Sequence, residues 1–204
     1  MNIQTIAENI NKKGYFILPQ YYSKEKCEQI KRDIKNTIHF SYGEGNDLRY
    51  GNFEKHSNIA KEFLEDSFFL SIGKNVLDHK ADRITKRCQL GILQYKNGNE
   101  CSGGGWHVDN HNPQFKALLY VTDVTEDNGP FAIISPPITS TQYKPISENK
   151  DTRFPDSIEK DYKDSIQRLT GKAGDVILVN TQYIHRGTVI KEGIRLTLTN
   201  YYYD

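Results

Sequence analysis

From residue 88 onward the sequence is a succession of short apolar or alternating runs, each closed by residues that favour turns. Residues 88–95, 115–121, 131–134, 176–179, 184–190 and 194–203 read as strands. Between them stand Glu126-Asp127-Asn128-Gly129, Gly171-Lys172-Ala173-Gly174-Asp175 and Lys191-Glu192-Gly193, which supply the residues that tolerate turn conformations. Short strands separated by turns at this spacing predict a barrel or jelly roll, with each strand presenting one row of side chains inward.

The first part of the chain has a different period. Ile3, Ile6, Ala7 and Ile10 recur at helical spacing, and Gly14 follows where a left-handed C-cap belongs. Tyr15-Phe16-Ile17-Leu18 reads as a brief strand ended by Pro19, which has no donor for a ladder. Ser23 is placed to cap a helix whose stripe is Cys27, Ile30, Ile34 and Ile38. Residues 41–56, with Gly43, Gly45 and Gly51 around Asp47 and Arg49, read as a loop. Helical spacing resumes through Ile59, Phe63, Phe69, Ile72 and Val76, as two short helices split near Asp66. Residues 136–168 are polar, carry Pro137, Pro145 and Pro155, and hold a possible short helix near 157–163. They read as an insertion between strands, placed to cover a pocket mouth. A chain of 204 residues fits one domain. Residues 1–83 would form a mainly helical cap, and residues 84–204 a jelly-roll core carrying the insertion.

Charge narrows the function. Lysine and arginine number 27 against 26 aspartate and glutamate, without a run of one sign, so the footprint of a nucleic-acid or acidic-membrane binder is missing. A small-molecule partner is expected. No apolar stretch is long enough to cross a bilayer, and Met1-Asn2-Ile3-Gln4-Thr5-Ile6 has no secretory pattern, so a cytoplasmic protein is expected. Cys27, Cys88 and Cys101 lack metal-binding or disulfide spacing and are expected as reduced thiols, with Cys101 in a loop.

The chemistry points to Gly103-Gly104-Gly105-Trp106-His107-Val108-Asp109-Asn110. On a strand, residues two apart share a face, so His107 and Asp109 offer an imidazole and a carboxylate to one point. A second histidine would complete a two-histidine, one-carboxylate set that leaves three positions open on Fe(II). His185 is the candidate. Arg195 lies ten residues further, across the Lys191-Glu192-Gly193 turn. If that turn centres near Glu192, Arg195 pairs opposite about Val189, four residues or ~13 Å of strand from His185. That gap suits a small dicarboxylate with one end on the metal and the other on the guanidinium fork. Thr197 shares the face of Arg195 and adds a hydroxyl.

These residues, with the run from Lys116 to Val124 and Asn128-Gly129-Pro130-Phe131, resemble the phytanoyl-CoA dioxygenase family. The resemblance covers about residues 90–203. It implies a double-stranded β-helix (mainly β with α, jelly roll, cupin-like) with an N-terminal helical cap. It implies an Fe(II)- and 2-oxoglutarate-dependent dioxygenase that consumes O2, hydroxylates a small polar metabolite or biosynthetic intermediate, and releases succinate and CO2. His107, Asp109 and His185 would hold iron and Arg195 with Thr197 the distal carboxylate of 2-oxoglutarate. Gln94 matches a position where an amide often supports the co-substrate. Where the family usually continues Pro-Gly-Ser-His, this chain has Ser135-Pro136-Pro137, a departure on the substrate side. Arg49, Asn110, His111 and Lys116 are candidate substrate contacts, although Lys116 in an apolar strand equally suits snorkelling to an edge. Trp106 reads as core, and His39, His56 and His79 as surface or helix-end residues. Two other classes share the ligand set: a cupin-like zinc or manganese isomerase or hydrolase, and a non-catalytic binding protein on the same fold. Arg195-x-Thr197 counts against the first and the intact ligand set against the second.

Overall fold

The computed structural model describes residues 2–38, 47–77, 83–84, 88–95, 105–112 and 114–203. Helix α1 (Ile3–Lys13) starts at Asn2, whose side chain accepts a hydrogen bond from Gln4 N, and stops at Gly14, which takes φ 88°. Strand β1 (Tyr15–Leu18) follows, then α2 (Lys24–Thr37), capped by Ser23. Residues 47–50 depart from the expected loop: Asp47–Tyr50 form strand β2, an edge strand paired antiparallel with residues 90–93. The glycines on either side had hidden an extended tetrapeptide whose ladder partner is some forty residues away. Helices α3 (Asn58–Glu65) and α4 (Ser67–Val76) divide at Asp66, whose carboxylate accepts from Phe68 N at 2.9 Å.

The remaining strands are β3 (Arg83–Ile84), β4 (Gln89–Gln94), β5 (Gln114–Tyr120), β6 (Phe131–Ile134), β7 (Ile166–Leu169), β8 (Val176–Asn180), β9 (His185–Gly187) and β10 (Ile194–Tyr203). Seven strands make one antiparallel sheet in the order β1-β8-β5-β10-β4-β2, with β3 on the end of β10, and three make a second, β7-β6-β9. The chain passes from one sheet to the other between β5 and β6, β7 and β8, β8 and β9, and β9 and β10. This is the double-stranded β-helix.

Alternation along each strand sorts the large sheet into two faces. Leu90, Ile92, Phe115, Ala117, Leu119, Val176, Leu178, Leu196 and Leu198 share one core with Ile6, Ile10, Ile30, Ile34, Phe63, Phe69 and Ile72 of the helices. Each of these side chains larger than alanine contributes roughly 1.5–3 kcal/mol by leaving water. The opposite rows, among them Tyr120, Ile177 and Val179, face the small sheet and pack with its Ile133 and Leu169.

No residue of the 136–168 insertion is among those that line the cavity. The insertion's Ile138, Phe154 and Ile158 pack with Trp106, Val108, Ala132, Ile134 and Ile184 in a separate core behind the small sheet. Residues 152–154 lie beside 106–108, with Val108 N donating to Thr152 O and Phe154 N to Trp106 O. The short helix within it is α5 (Ile158–Asp161). Trp106 is core as expected, its Nε1 donating to Glu159 at 3.1 Å. Asn110 and His111 are exposed; His111 pairs with Asp151 across 2.8 Å of open surface. His39, His79, Cys101 and the glycines at 103 and 104 lie outside the described residues.

Cys27 and Cys88 are fully buried. Burial pushes the Cys27 thiol up to about 11 and the Cys88 thiol higher still. Neither should react with Ellman's reagent at pH 8 in the native protein, and both should react once it is unfolded. Mass spectrometry of the labelled cysteines checks this, and native labelling of either would show that its part of the core opens.

Candidate active site

His107 and His185 form an antiparallel bridge, with His107 N donating to His185 O at 2.8 Å and His185 N to His107 O at 2.9 Å. Residues so paired point their side chains to the same face. The two rings stand 4.4 Å apart, and Phe131 stacks on His185 at 5.0 Å. Asp109 joins them from two residues beyond His107, placing Oδ1 3.5 Å from His107 Nε2 and 3.7 Å from His185 Nε2. One ligand atom from each residue lies within 4.8 Å of the others.

The backbone fixes which nitrogen each imidazole offers. His107 Nδ1 is 2.8 Å from Gly105 O, and His185 Nδ1 is 2.8 Å from Tyr183 O. A carbonyl only accepts, so Nδ1 carries the proton and Nε2 keeps a free lone pair aimed at the shared point. Burial, aided by the neighbouring His185, pulls the His107 imidazole down to about 4, which keeps it neutral near pH 7. Burial alone would raise the Asp109 carboxyl, but the Lys116 ammonium and the two imidazoles outweigh it and hold it well below the usual range. Two imidazole nitrogens and one carboxylate are a donor set suited to a divalent transition metal.

Arg195 is buried in the wall of the same cavity. One Nη donates to Gly129 O, while Nε has no hydrogen-bond partner. Among the described residues it makes no ion pair, and burial pulls its pKa down. A buried guanidinium without a carboxylate is costly unless a ligand supplies one. Thr197 stands next along the inward row. Gly91 faces it from β4, where a Cβ would come within 2.7 Å of Thr197 Oγ1. The residues present therefore fit a metal at one end and a small dicarboxylate reaching Arg195 at the other.

The position of Arg195 differs from the sequence expectation. The 191–193 turn joins strands of different sheets, so Arg195 pairs with Leu93 of β4 and not with Val189. It meets the histidines across the barrel interior. Arg49 and Lys116 line the cavity with His107, Asp109, His185 and Thr197, whereas Asn110 and His111 do not. Gln94 is also absent from the wall, because it shares the strand face of Leu90 and Ile92, which is turned to the helices. The amide that does reach the cavity is Gln89, on the alternate row with Gly91. Tyr201 was also missed; its hydroxyl donates to Gln89 at 2.6 Å. Its signal was the period-two row Arg195-x-Thr197-x-Thr199-x-Tyr201, which lines the cavity throughout.

The model of the phytanoyl-CoA dioxygenase family matches residues 10–191. No curated protein matches the sequence. Among solved structures, the epimerase SnoN in complex with Fe3+, alpha ketoglutarate and nogalamycin RO superposes with TM-score 0.70 at 12% identity, over 99% of this chain and 83% of that one. HygX from Streptomyces hygroscopicus with nickel and 2-oxoglutarate bound gives 0.67 at 16% identity, over 98% and 86%. AviO1 from Streptomyces viridochromogenes Tue57 gives 0.66 at 14% identity, over 100% and 95%. At such identities the likeness is one of fold. No helix among the described residues is long and apolar enough to cross a membrane.

Proposed function

The chain belongs to the phytanoyl-CoA dioxygenase family, and from that footing we propose that it is an Fe(II)- and 2-oxoglutarate-dependent dioxygenase that hydroxylates a small polar molecule. The observation that carries this reading is the convergence of His107 Nε2, Asp109 Oδ1 and His185 Nε2 in a cavity that also holds a buried arginine whose Nε has no hydrogen-bond partner and which makes no ion pair among the described residues. The iron and 2-oxoglutarate seen in SnoN, and the nickel and 2-oxoglutarate in HygX, support the same pair of ligands here.

His107, Asp109 and His185 would hold Fe(II), with the Gly105 and Tyr183 carbonyls keeping both imidazoles in the one tautomer that can ligate. Arg195 and Thr197 would grip the far carboxylate of 2-oxoglutarate and so set the direction from which its other end approaches the metal. With O2, the loaded site supplies an oxidant able to attack an unactivated C–H bond, at the expense of 2-oxoglutarate, which leaves as succinate and CO2. Phe131, Leu118 and Val179 keep the wall near the ligands apolar and exclude water from that chemistry. The substrate would meet a polar wall formed by Gln89, Thr199, Tyr201 and the Arg49–Asp47 pair, whose separation is 2.7 Å. That wall favours a hydrophilic molecule over a long apolar chain.

The test is anaerobic addition of Fe(II) and 2-oxoglutarate, reading the visible charge-transfer band of chelated 2-oxoglutarate, followed by substrate screening for succinate release. A product one oxygen atom heavier than substrate is expected; a product of unchanged mass would favour epimerisation, the activity by which SnoN is described. No band in a folded, iron-loaded protein would overturn the reading. Arg195→Lys keeps the charge but loses the planar fork, so about tenfold more 2-oxoglutarate should be needed for the half-maximal band. An unchanged requirement would remove Arg195 from the co-substrate site.

A further inference from the structure

We propose that Lys116 is a positioning residue that holds Asp109 to one-oxygen coordination and thereby keeps three metal positions open; this rests on the iron and 2-oxoglutarate reading above. A carboxylate can bind a metal through one oxygen or both. With two histidines, one-oxygen binding leaves three of six positions open, and two-oxygen binding leaves two. Two are taken by a chelating co-substrate, so the second mode would leave no position for a further ligand. The role of the ligand set therefore depends on what controls the second oxygen of Asp109.

The structure gives that oxygen to Lys116. Oδ1 is the atom turned toward both histidine Nε2 atoms. Oδ2 lies 2.5 Å from Lys116 Nζ. It accepts no directed hydrogen bond, so the contact is a charge-to-charge pair. The two side chains are only 15% and 17% exposed, and an ion pair in so dry a setting is screened far less than one at the surface.

Lys116 is itself held in place. It sits on β5, which lies between β8 and β10, so there is no sheet edge toward which its side chain could snorkel. Its ladder partners are Val179 on one side and Tyr201 on the other. The ammonium rests 4.9 Å from the centre of the Tyr201 ring, a cation–π distance, and the Tyr201 hydroxyl is tied to Gln89. Gln89, Tyr201, Lys116 and Asp109 form one chain of contacts from the polar wall to the ligand carboxylate. An ammonium engaged in this way serves the carboxylate, which distinguishes it from a cation waiting for an anionic substrate.

The test compares wild type with Lys116→Met, which keeps the unbranched stem and removes the charge, and Lys116→Arg, which restores it. With Mn(II) bound in place of iron, water-proton relaxation counts exchangeable waters. Three are expected in the wild type and two in K116M, a fall of about one third if Asp109 closes onto the metal through both oxygens. With Fe(II), K116M should bind the metal at least as tightly as wild type yet need about tenfold more 2-oxoglutarate to develop the charge-transfer band. K116R should recover most of both losses, and metal-loaded K116M should still unfold in one cooperative transition, because the bound metal compensates the Asp109 charge. Wild-type relaxation and wild-type 2-oxoglutarate demand in K116M would overturn the proposal, as would loss of Mn(II) binding in a folded K116M. If the wild type gave no charge-transfer band, the iron and 2-oxoglutarate reading would fail, while the Mn(II) water count would still decide how Asp109 binds.

Discussion

His185→Ala should abolish turnover and metal binding while leaving the protein folded. The substitution removes one of the three converging ligand atoms, His185 Nε2, from a site whose donors are all within 4.8 Å. Loss of a mere outer partner of a metal ligand costs ~10–100-fold, so loss of a ligand should exceed roughly a thousandfold in Fe(II) affinity. The backbone bonds that His185 exchanges with His107 do not involve the ring, so both survive the change. The void left beside Phe131 opens into an existing cavity and should cost little stability. Metal content after anaerobic loading, activity and thermal unfolding measured on one preparation separate the two effects. A variant that retains stoichiometric iron would exclude His185 from the ligand set.

Gly174→Ala should destabilise the fold by about 4 kcal/mol without touching the site. Gly174 has φ 101°, a region that costs an L-residue ~1–3 kcal/mol. A Cβ built there would lie 2.0 Å from Tyr22 O, so the backbone must also shift. That shift is resisted from several sides. Tyr22 N donates to Gly174 O, Gly174 N donates to Tyr120 O, and the Asp175 carboxylate accepts from both Gln20 N and Lys172 N. Overpacking at such a position adds ~1–3 kcal/mol. For a chain of this size the sum corresponds to a fall in Tm of roughly 8–16 °C. Chemical denaturation of wild type and variant gives the difference directly, and a loss below about 1 kcal/mol would show that the β1–α2 connection yields easily.

Much of the helical layer was legible because its signals are local. Gly14 closes α1, Ser23 opens α2, and Asp66 ends one helix and caps the next, each acting on backbone groups within a few residues. The ligand pair was legible for the same reason, since residues two apart on a strand share a face whatever the strand pairs with. The insertion shows the limit of such reading. Its polar composition suggested a cover, but the apolar residues Ile138, Phe154 and Ile158 that decide its docking find partners only in the folded chain.

The sequence by itself determined the period of each segment, the caps, the turns and which residues stand in one row: His107 with Asp109, and Arg195 with Thr197. Only the tertiary structure decided which row faces inward and which strands pair. Period two cannot distinguish the Gln89 row of β4 from the Gln94 row, and the helices choose by covering Leu90 and Ile92. Nor can it tell a hairpin from a crossing between sheets, so Arg195 reached the cavity by a path that the 191–193 turn alone did not disclose. Lys116 read as an edge lysine until β8 and β10 closed on either side of it and turned its charge onto Asp109. The physical reason is common to all three: caps and periodicity arise from contacts within a turn or two of chain, whereas sheet order and facing arise from burial shared between segments far apart in sequence.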